Sequence, residues 1–261
     1  MEYHNHMNNS ISKYITAYNL RILAFIAMII NHFGTFLFPY GSTMFKLQSI
    51  VTRFAFVIFC FFLAEGMVHT HNRIKYLVRI LLTAIISEVF YDLHFMGSIP
   101  NWNGQNVCFT LFIGGLIIYL NDLCKEKIEN NTICTLMQIL ITALLAYISS
   151  ISIVDYGIMG IAVILEFYYL RNNKLLMLIC VAFTFPILWG IQVCIYNVYR
   201  NNHVTLSLFI NNVKNELPGI VILPFLYFYE GKQGKKMPKW LIYGFYPIHL
   251  CIAWLILGVI F

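Results

Sequence analysis

Charged residues are scarce in this chain. Only 11% of its 261 residues are Asp, Glu, Lys or Arg, whereas soluble domains carry about 25%. Hydrophobic residues make up 60% of the chain, and its mean hydropathy is +0.74. So few charges cannot cover a water-facing surface, which excludes a soluble protein of ordinary composition.

Metal-binding and soluble-enzyme motifs are also absent. The seven cysteines are scattered singly without a CxxC pair, so we expect neither a disulfide framework nor a zinc site. The two histidines of the triplet at 69–71 do not share a helix face, and we therefore expect no metal. P-loop, GxGxxG, GxSxG and HExxH patterns are missing too.

Apolar stretches of about 20 residues recur along the whole chain. A helix needs about 20 such residues to cross a hydrocarbon core of roughly 30 Å. The sequence therefore predicts one domain over residues 1–261, an all-α polytopic integral membrane bundle. Boundaries carry an error of a few residues, so we expect about nine transmembrane helices within a range of eight to eleven, at residues 16–39, 48–69, 75–96, 106–122, 132–152, 156–171, 174–197, 217–230 and 239–261.

Lysine and arginine set the expected orientation. With a cytoplasmic N-terminus, 13 of the 17 cations face the cytoplasm, as the positive-inside rule requires. The net charge of +6 then reflects membrane topology and does not predict a nucleic-acid partner. The polar N-terminus lacks the features of a cleavable signal peptide. Segment 198–216 leaves room for a re-entrant or interfacial helix.

The first predicted span carries two ionisable residues on one face. Arg21 and His32 are eleven positions apart, which is about three turns and about 16 Å along a helix axis. Such groups face other helices or a wet cavity, not lipid. We interpret His32 as a general base, because neutral imidazole takes up a proton near physiological pH. The alternatives are a snorkelling Arg21 and a His32 that only bridges helices.

Two carboxylates mark the third span. Glu88 and Asp92 are four positions apart and share a face, and we expect one of them to orient His32 or to pair with Arg53. Other polar residues could line the acceptor site or stabilise an oxyanion, although single buried polar groups often only join helices. These candidates are Asn106, Asp155, Tyr156, Tyr246 and His249.

A basic segment follows Glu65 at the end of the second span. It suits a phosphate-rich ligand by charge and hydrogen bonding, but any cytoplasmic loop is basic by the positive-inside rule, so both interpretations stay open. The residues are His69, His71, Arg73, Lys75 and Arg79.

The spans hold more ionisable residues than an inert anchor needs. This favours either an intramembrane enzyme or an ion-coupled transporter or permease. A transporter is expected to show two related halves with matching broken helices, and no such pair is visible. A third alternative is an assembly factor for a conjugation or secretion machine, which the short loops disfavour.

The run RFAFVIFCFFLAEGMVHTHNRIKYLVRILLTAIISEVFYDLHF resembles the signature region of the TraX family of conjugal-transfer membrane proteins, and the blocks NVCFT, DYGIMG and FYPIHL also fit. The resemblance covers nearly the whole chain. The resemblance implies a coenzyme-binding set made of Arg21 and the positions of this chain that match the family signature. They are Arg53, Glu65, His69, Asn72, Arg73, Lys75, Tyr76 and Arg79.

The TraX family is in turn similar to a wider group of transmembrane acyltransferases, whose first helix carries an arginine, ten residues and a catalytic histidine. Arg21 and His32 match that spacing, although Asn31 stands where an aspartate is common and Arg21 where many members have lysine. The resemblance implies transfer of acetyl from cytoplasmic acetyl-CoA to an acceptor outside the bacterial inner membrane. The acceptor would be the N-terminal amine of a pilin or other peptide, or a glycan.

Overall fold

The computed structural model describes residues 14–200 and 202–260, and this part of the chain is an all-α polytopic membrane bundle without a β-strand. Six helices are long and apolar enough to cross a membrane, judged by length and composition. They are α1 (Ala17–Leu37), α2 (Thr43–His69), α4 (Val107–Lys127), α5 (Asn131–Ile151), α7 (Lys174–Tyr199) and α10 (Lys239–Ile260), and the others are α3 (Arg73–Tyr91), α6 (Gly157–Tyr169), α8 (Leu206–Glu216) and α9 (Leu223–Phe228).

Two predicted spans are not single α-helices. The span expected at 75–96 is α3 followed by a π-helical turn, Asp92–Met96. The span expected at 217–230 is a 3₁₀ turn, Leu217–Ile222, followed by the six-residue α9. Residues 217–230 do not form one α-helix because the 3₁₀ turn and α9 each have a proline at their start, which has no backbone N–H to continue the preceding helix.

Helix α2 forms the centre of the bundle. Val57, Ile58, Cys60 and Met67 are completely buried, and the helix packs against α1, α6, α4 and the 3₁₀ turn. Helix α5 lies at the periphery and exposes a row of large apolar side chains. In a membrane such side chains face lipid, which requires only that the backbone hydrogen bonds stay inside the helix.

Backbone hydrogen bonds hold loops in place at both ends of the bundle. At one end, the N–H groups of Ala17 and Tyr18 donate to the carbonyls of Lys232 and Gln233, at 2.8 and 3.1 Å. At the other end, Gln105 pairs with the 153–155 segment through two backbone hydrogen bonds of 3.1 and 2.9 Å. We call the first end the mouth end, because a cavity opens there.

Candidate functional site

One face of α1 lines a cavity of about 260 Å³. Arg21, Phe25 and Met28 contribute to its wall, at the spacing of four and then three residues that keeps side chains on one helix face. His32 continues the same row four residues later. Arg21 and His32 therefore mark the two ends of one stripe.

The mouth of the cavity combines charged, polar and aromatic side chains. The guanidinium of Arg21 lies 4.4 Å from the ring centroid of Phe62, in a cation–π contact. Glu65 and His69 come from the last turns of α2, and Gln233 comes from the loop that holds the start of α1. A flexible polar ligand can therefore meet both a cation and hydrogen-bonding groups here.

The deep end of the cavity is closed by aromatic rings. Phe25 and Phe245 stack with their ring centroids 4.0 Å apart, and Tyr246 and Cys108 complete the end wall. The Phe245 ring in turn stacks on His249 at 4.8 Å. The cavity thus ends one ring layer from His249.

His249 is the hydrogen-bond partner of His32. Nδ1 of His32 lies 2.6 Å from Nε2 of His249, and the two rings are nearly parallel with centroids 4.8 Å apart. Both side chains are buried, at 7% and 5% exposure. The pair joins α1 to α10 at the depth where the cavity ends.

A third histidine stands beside this pair. The His94 ring centroid lies 6.3 Å from that of His32, and its Nε2 is buried without a hydrogen-bond partner among the described residues. His94 was not predicted from the sequence, because the π-helical turn that carries it breaks the helical spacing on which face assignments rest. No group of three or more His, Cys, Asp or Glu side chains in the described part of the chain is placed to hold a metal ion.

The expectation that Glu88 or Asp92 orients His32 is wrong. A carboxylate oxygen of Asp92 accepts a hydrogen bond from the backbone N–H of Asn101 at 2.8 Å. Glu88 accepts from the backbone N–H of Asn106 at 3.0 Å and from its side-chain amide. The two carboxylates therefore organise the loop at 97–106, and an imidazole takes the place predicted for them.

Arg53 does not pair with either of those carboxylates. It lies 3.1 Å from Glu216, which is completely buried at the end of α8. Asp155 and Tyr156 belong to the same cluster, with Tyr156 stacked on Phe56 at 3.8 Å between ring centroids. Burial raises the pKa of Asp155 to about 6 and that of Glu216 to about 7. The candidates Arg53, Asp155 and Tyr156 thus form a second polar centre away from the cavity.

The predicted coenzyme-binding set divides into two groups. Arg21, Glu65, His69 and Tyr76 line the cavity. The other five residues do not line it. Three of them have other partners: Arg53 pairs with Glu216, Asn72 caps α3 by accepting from the N–H of Lys75, and Arg73 donates to Asp122 at 2.7 Å. Lys75 is exposed, and Arg79 is also absent from the cavity wall.

The oxyanion candidates divide in the same way. Both N–H groups of the Asn106 amide are occupied, by Glu88 and by the carbonyl of Ala84 at 2.8 Å, and its oxygen caps α4. Asn106 therefore has no free donor for an oxyanion. Tyr246 lines the cavity, and its ring lies 6.1 Å from His32 and 5.4 Å from His249 between centroids.

Arg73 borders a second cavity, of about 410 Å³, at the mouth end. His71 and Lys125 also line it, but Asp122 and Glu126 do as well. The basic residues after α2 therefore do not form a purely positive surface, because Arg73 already has a carboxylate partner and the tyrosine hydroxyl of Tyr168 at 3.1 Å.

Comparison with known proteins gives one family. The family model described as TraX protein matches residues 17–257. A probable fimbrial assembly protein FimC, serogroup H1, of Dichelobacter nodosus is 25% identical over 244 residues, covering 91% of this chain and 93% of the relative. An uncharacterised protein of Rickettsia prowazekii (strain Madrid E) is 26% identical over 161 residues, covering 62% and 58%. No solved structure matches the chain.

Proposed function

The chain belongs to the TraX family, and we propose that it is an integral membrane acetyltransferase that uses acetyl-CoA as donor. The observation that carries this proposal is the buried His32–His249 pair, one ring layer from the deep end of a cavity with Arg21 at its mouth. An inert membrane anchor needs neither feature.

The donor enters from the mouth end, which we place on the cytoplasmic side in accordance with the excess of lysine and arginine there. Arg21, His69 and Gln233 meet the polar part of the coenzyme, and the thioester arm lies along Phe25 and Met28. The row from Arg21 to His32 spans about 16 Å, which is comparable to an extended pantetheine arm.

The chemical step needs one base. His32 removes a proton from the amine or hydroxyl of the acceptor as that atom attacks the thioester carbon. Because His32 lies behind the stacked rings of Phe25 and Phe245, this step requires those two rings to move aside. The new bond to the acetyl carbon forms, the carbon–sulfur bond breaks, and the coenzyme leaves as a thiolate that takes a proton. Tyr246, which lines the cavity, is the proposed donor to the oxygen of the tetrahedral intermediate.

The acceptor approaches from the opposite end of the bundle, where the 97–106 and 153–155 loops lie. The name of the Dichelobacter nodosus relative, a probable fimbrial assembly protein, supports a subunit of a surface fibre as acceptor. The resemblance to TraX supports the N-terminal amine of such a subunit, and a glycan hydroxyl is the other acceptor class.

The test uses purified protein in proteoliposomes, labelled acetyl-CoA on one side, and peptide or glycan acceptors on the other. We expect His32→Ala to lower acetyl transfer by at least about 100-fold while the protein still inserts and folds. His203→Gln, a change at an exposed histidine, is the matched control.

Unchanged transfer by His32→Ala would refute the mechanism. Mass spectrometry of envelope proteins with and without this protein identifies the acceptor, since the acetylated component gains the mass of one acetyl group. If no component changes and the vesicles show ion-coupled uptake instead, the protein is a transporter.

A further inference from the structure

We infer that His249 is a positioning residue that fixes the tautomer and direction of His32, so that the base is Nε2 of His32. This inference rests on the proposed acetyl transfer for its kinetic consequences. Its structural content stands on two hydrogen bonds, one at each nitrogen of the His249 ring.

The first bond determines where His249 carries its proton. Nδ1 of His249 lies 2.7 Å from the backbone carbonyl oxygen of Phe245. A carbonyl oxygen can only accept, so Nδ1 must hold the hydrogen. In a neutral imidazole the other nitrogen, Nε2, is then an acceptor.

The second bond transmits this choice to His32. Nδ1 of His32 lies 2.6 Å from Nε2 of His249. Because that nitrogen accepts, Nδ1 of His32 must be the donor. Nε2 of His32 is then without a proton and is free to take one from an acceptor substrate.

The surroundings favour a neutral pair in the resting protein. The rings around it are aromatic or histidine, namely Phe95, Phe245, Tyr246 and His94. No carboxylate is a hydrogen-bond partner of either ring among the described residues. A lone imidazolium buried in such surroundings would be costly.

The fold holds His249 in this role. His249 and Phe245 are one helical turn apart on α10, and their rings stack. Pro247, between them, fixes its own backbone angle and leaves that turn one N–H short. The carbonyl and the ring of Phe245 therefore both constrain the imidazole of His249.

The pair also accommodates the charge that the reaction creates. When Nε2 of His32 takes a proton, the hydrogen on its Nδ1 can move to Nε2 of His249. His249 would then donate from both nitrogens, to Phe245 and to His32. The positive charge is therefore shared between two rings.

The kinetic test compares His249→Leu with His249→Gln. Leucine removes the acceptor at roughly constant volume, whereas the glutamine side-chain oxygen can still accept from Nδ1 of His32. We expect kcat to fall about 100-fold in the leucine variant with the KM for acetyl-CoA changed less than about 2-fold. The glutamine variant should recover at least about 10-fold of the lost kcat. His203→Gln should match the wild type.

Equal losses in both variants would show that accepting a hydrogen bond from His32 is not the contribution of His249, and an active leucine variant would show that His249 only fills space and that His32 needs no partner. A second measurement does not depend on acetyl transfer. In solid-state NMR of protein with ¹⁵N-labelled histidine, we expect His32, assigned through His32→Gln, to carry its proton on Nδ1.

In the leucine variant, the form with the proton on Nε2 should become populated. Finding that form already in the wild type would overturn the inference even if the enzyme is active. Finding Nδ1 protonated in a protein that transfers no acetyl group would leave the tautomer assignment intact and refute the proposed function alone.

Discussion

Single residues in the second polar centre control how stability changes with pH. Burial raises the pKa of Glu216 from 4.5 to about 7, although Arg53 lowers it and Asp155 raises it further. The folded protein therefore binds this proton more tightly than the unfolded chain does. The stabilisation is fully present below pH 4.5 and is lost as the pH rises through about 7.

Thermal unfolding in detergent at pH 5 and pH 8 tests this effect. The wild type should unfold at a lower temperature at pH 8, and Glu216→Gln should reduce the difference by at least about 3 °C. Glu230→Gln, a change at an exposed glutamate, should behave like the wild type. An identical pH dependence in Glu216→Gln and wild type would mean that Glu216 is already ionised at pH 5.

Some relations between single residues are encoded locally in the sequence, and others are not. Spacing within one helix placed Arg21 and His32 on a common face, because both lie on α1. It did not identify the partner of His32, since His249 is 217 positions away. Nor did it predict that Asn106 and Asn101 would donate hydrogen bonds to Glu88 and Asp92. Contacts between distant helices depend on how the helices rotate against each other, which no local pattern records.

At the scale of elements, close helix contacts depend on small residues. A Cβ added to Gly160 of α6 would lie 2.6 Å from Cγ2 of Thr110 and 2.7 Å from Cζ of Phe56. Thr110 is held by its hydrogen bond to the Asp155 carbonyl, and the Phe56 ring is stacked on Tyr156. Neither neighbour has an easy way to move.

We therefore expect Gly160→Ala to destabilise the protein by about 1–3 kcal/mol, despite the better helix propensity of alanine. Gly244→Ala in α10 is the matched control, because its Cβ would meet only the flexible end of Ile248 at 3.3 Å. Denaturation of both variants in the same detergent compares them. A Gly160→Ala protein as stable as Gly244→Ala would show that α4 and α6 can separate at little cost.

Element lengths were predictable where apolar runs are long and uninterrupted, as in α1 and α7, whereas α2 begins five residues before its predicted start at 48. The π-helical turn at Asp92–Met96 and the 3₁₀ turn at Leu217–Ile222 were not predictable, since an apolar run of suitable length does not reveal a change in helix type. Both irregular turns carry or adjoin buried polar residues, His94 and Glu216. Backbone that departs from regular helix inside a membrane bundle is tolerated where protein surrounds it.

At the scale of the whole molecule, the cavity is assembled from α1, α2, α3, α4, α10 and the 229–233 loop. The signature run of the family, residues 53–95, follows α2, α3 and the π-helical turn, so it includes residues on several faces of those helices. Only the assembled bundle separates Tyr76, which faces the cavity, from its neighbour Lys75, which is exposed. A motif therefore identifies a region, whereas the cavity identifies the side chains.

The KM for acetyl-CoA of variants at two arginines distinguishes a cavity residue from a motif residue outside the cavity. Arg21 stands at the cavity mouth, whereas Arg79 belongs to the motif but lies outside the lining. If the donor occupies the cavity, Arg21→Met should raise the KM for acetyl-CoA about 10-fold, because a hydrogen bond to a charged group contributes about 1.5–3 kcal/mol. Arg79→Met should change that KM less than about 2-fold. Arg200→Met, in a segment remote from the cavity lining, controls for loss of positive charge.

A larger effect of Arg79→Met than of Arg21→Met would mean that the coenzyme binds on the outer face of α3, and the route from Arg21 to His32 would have to be abandoned.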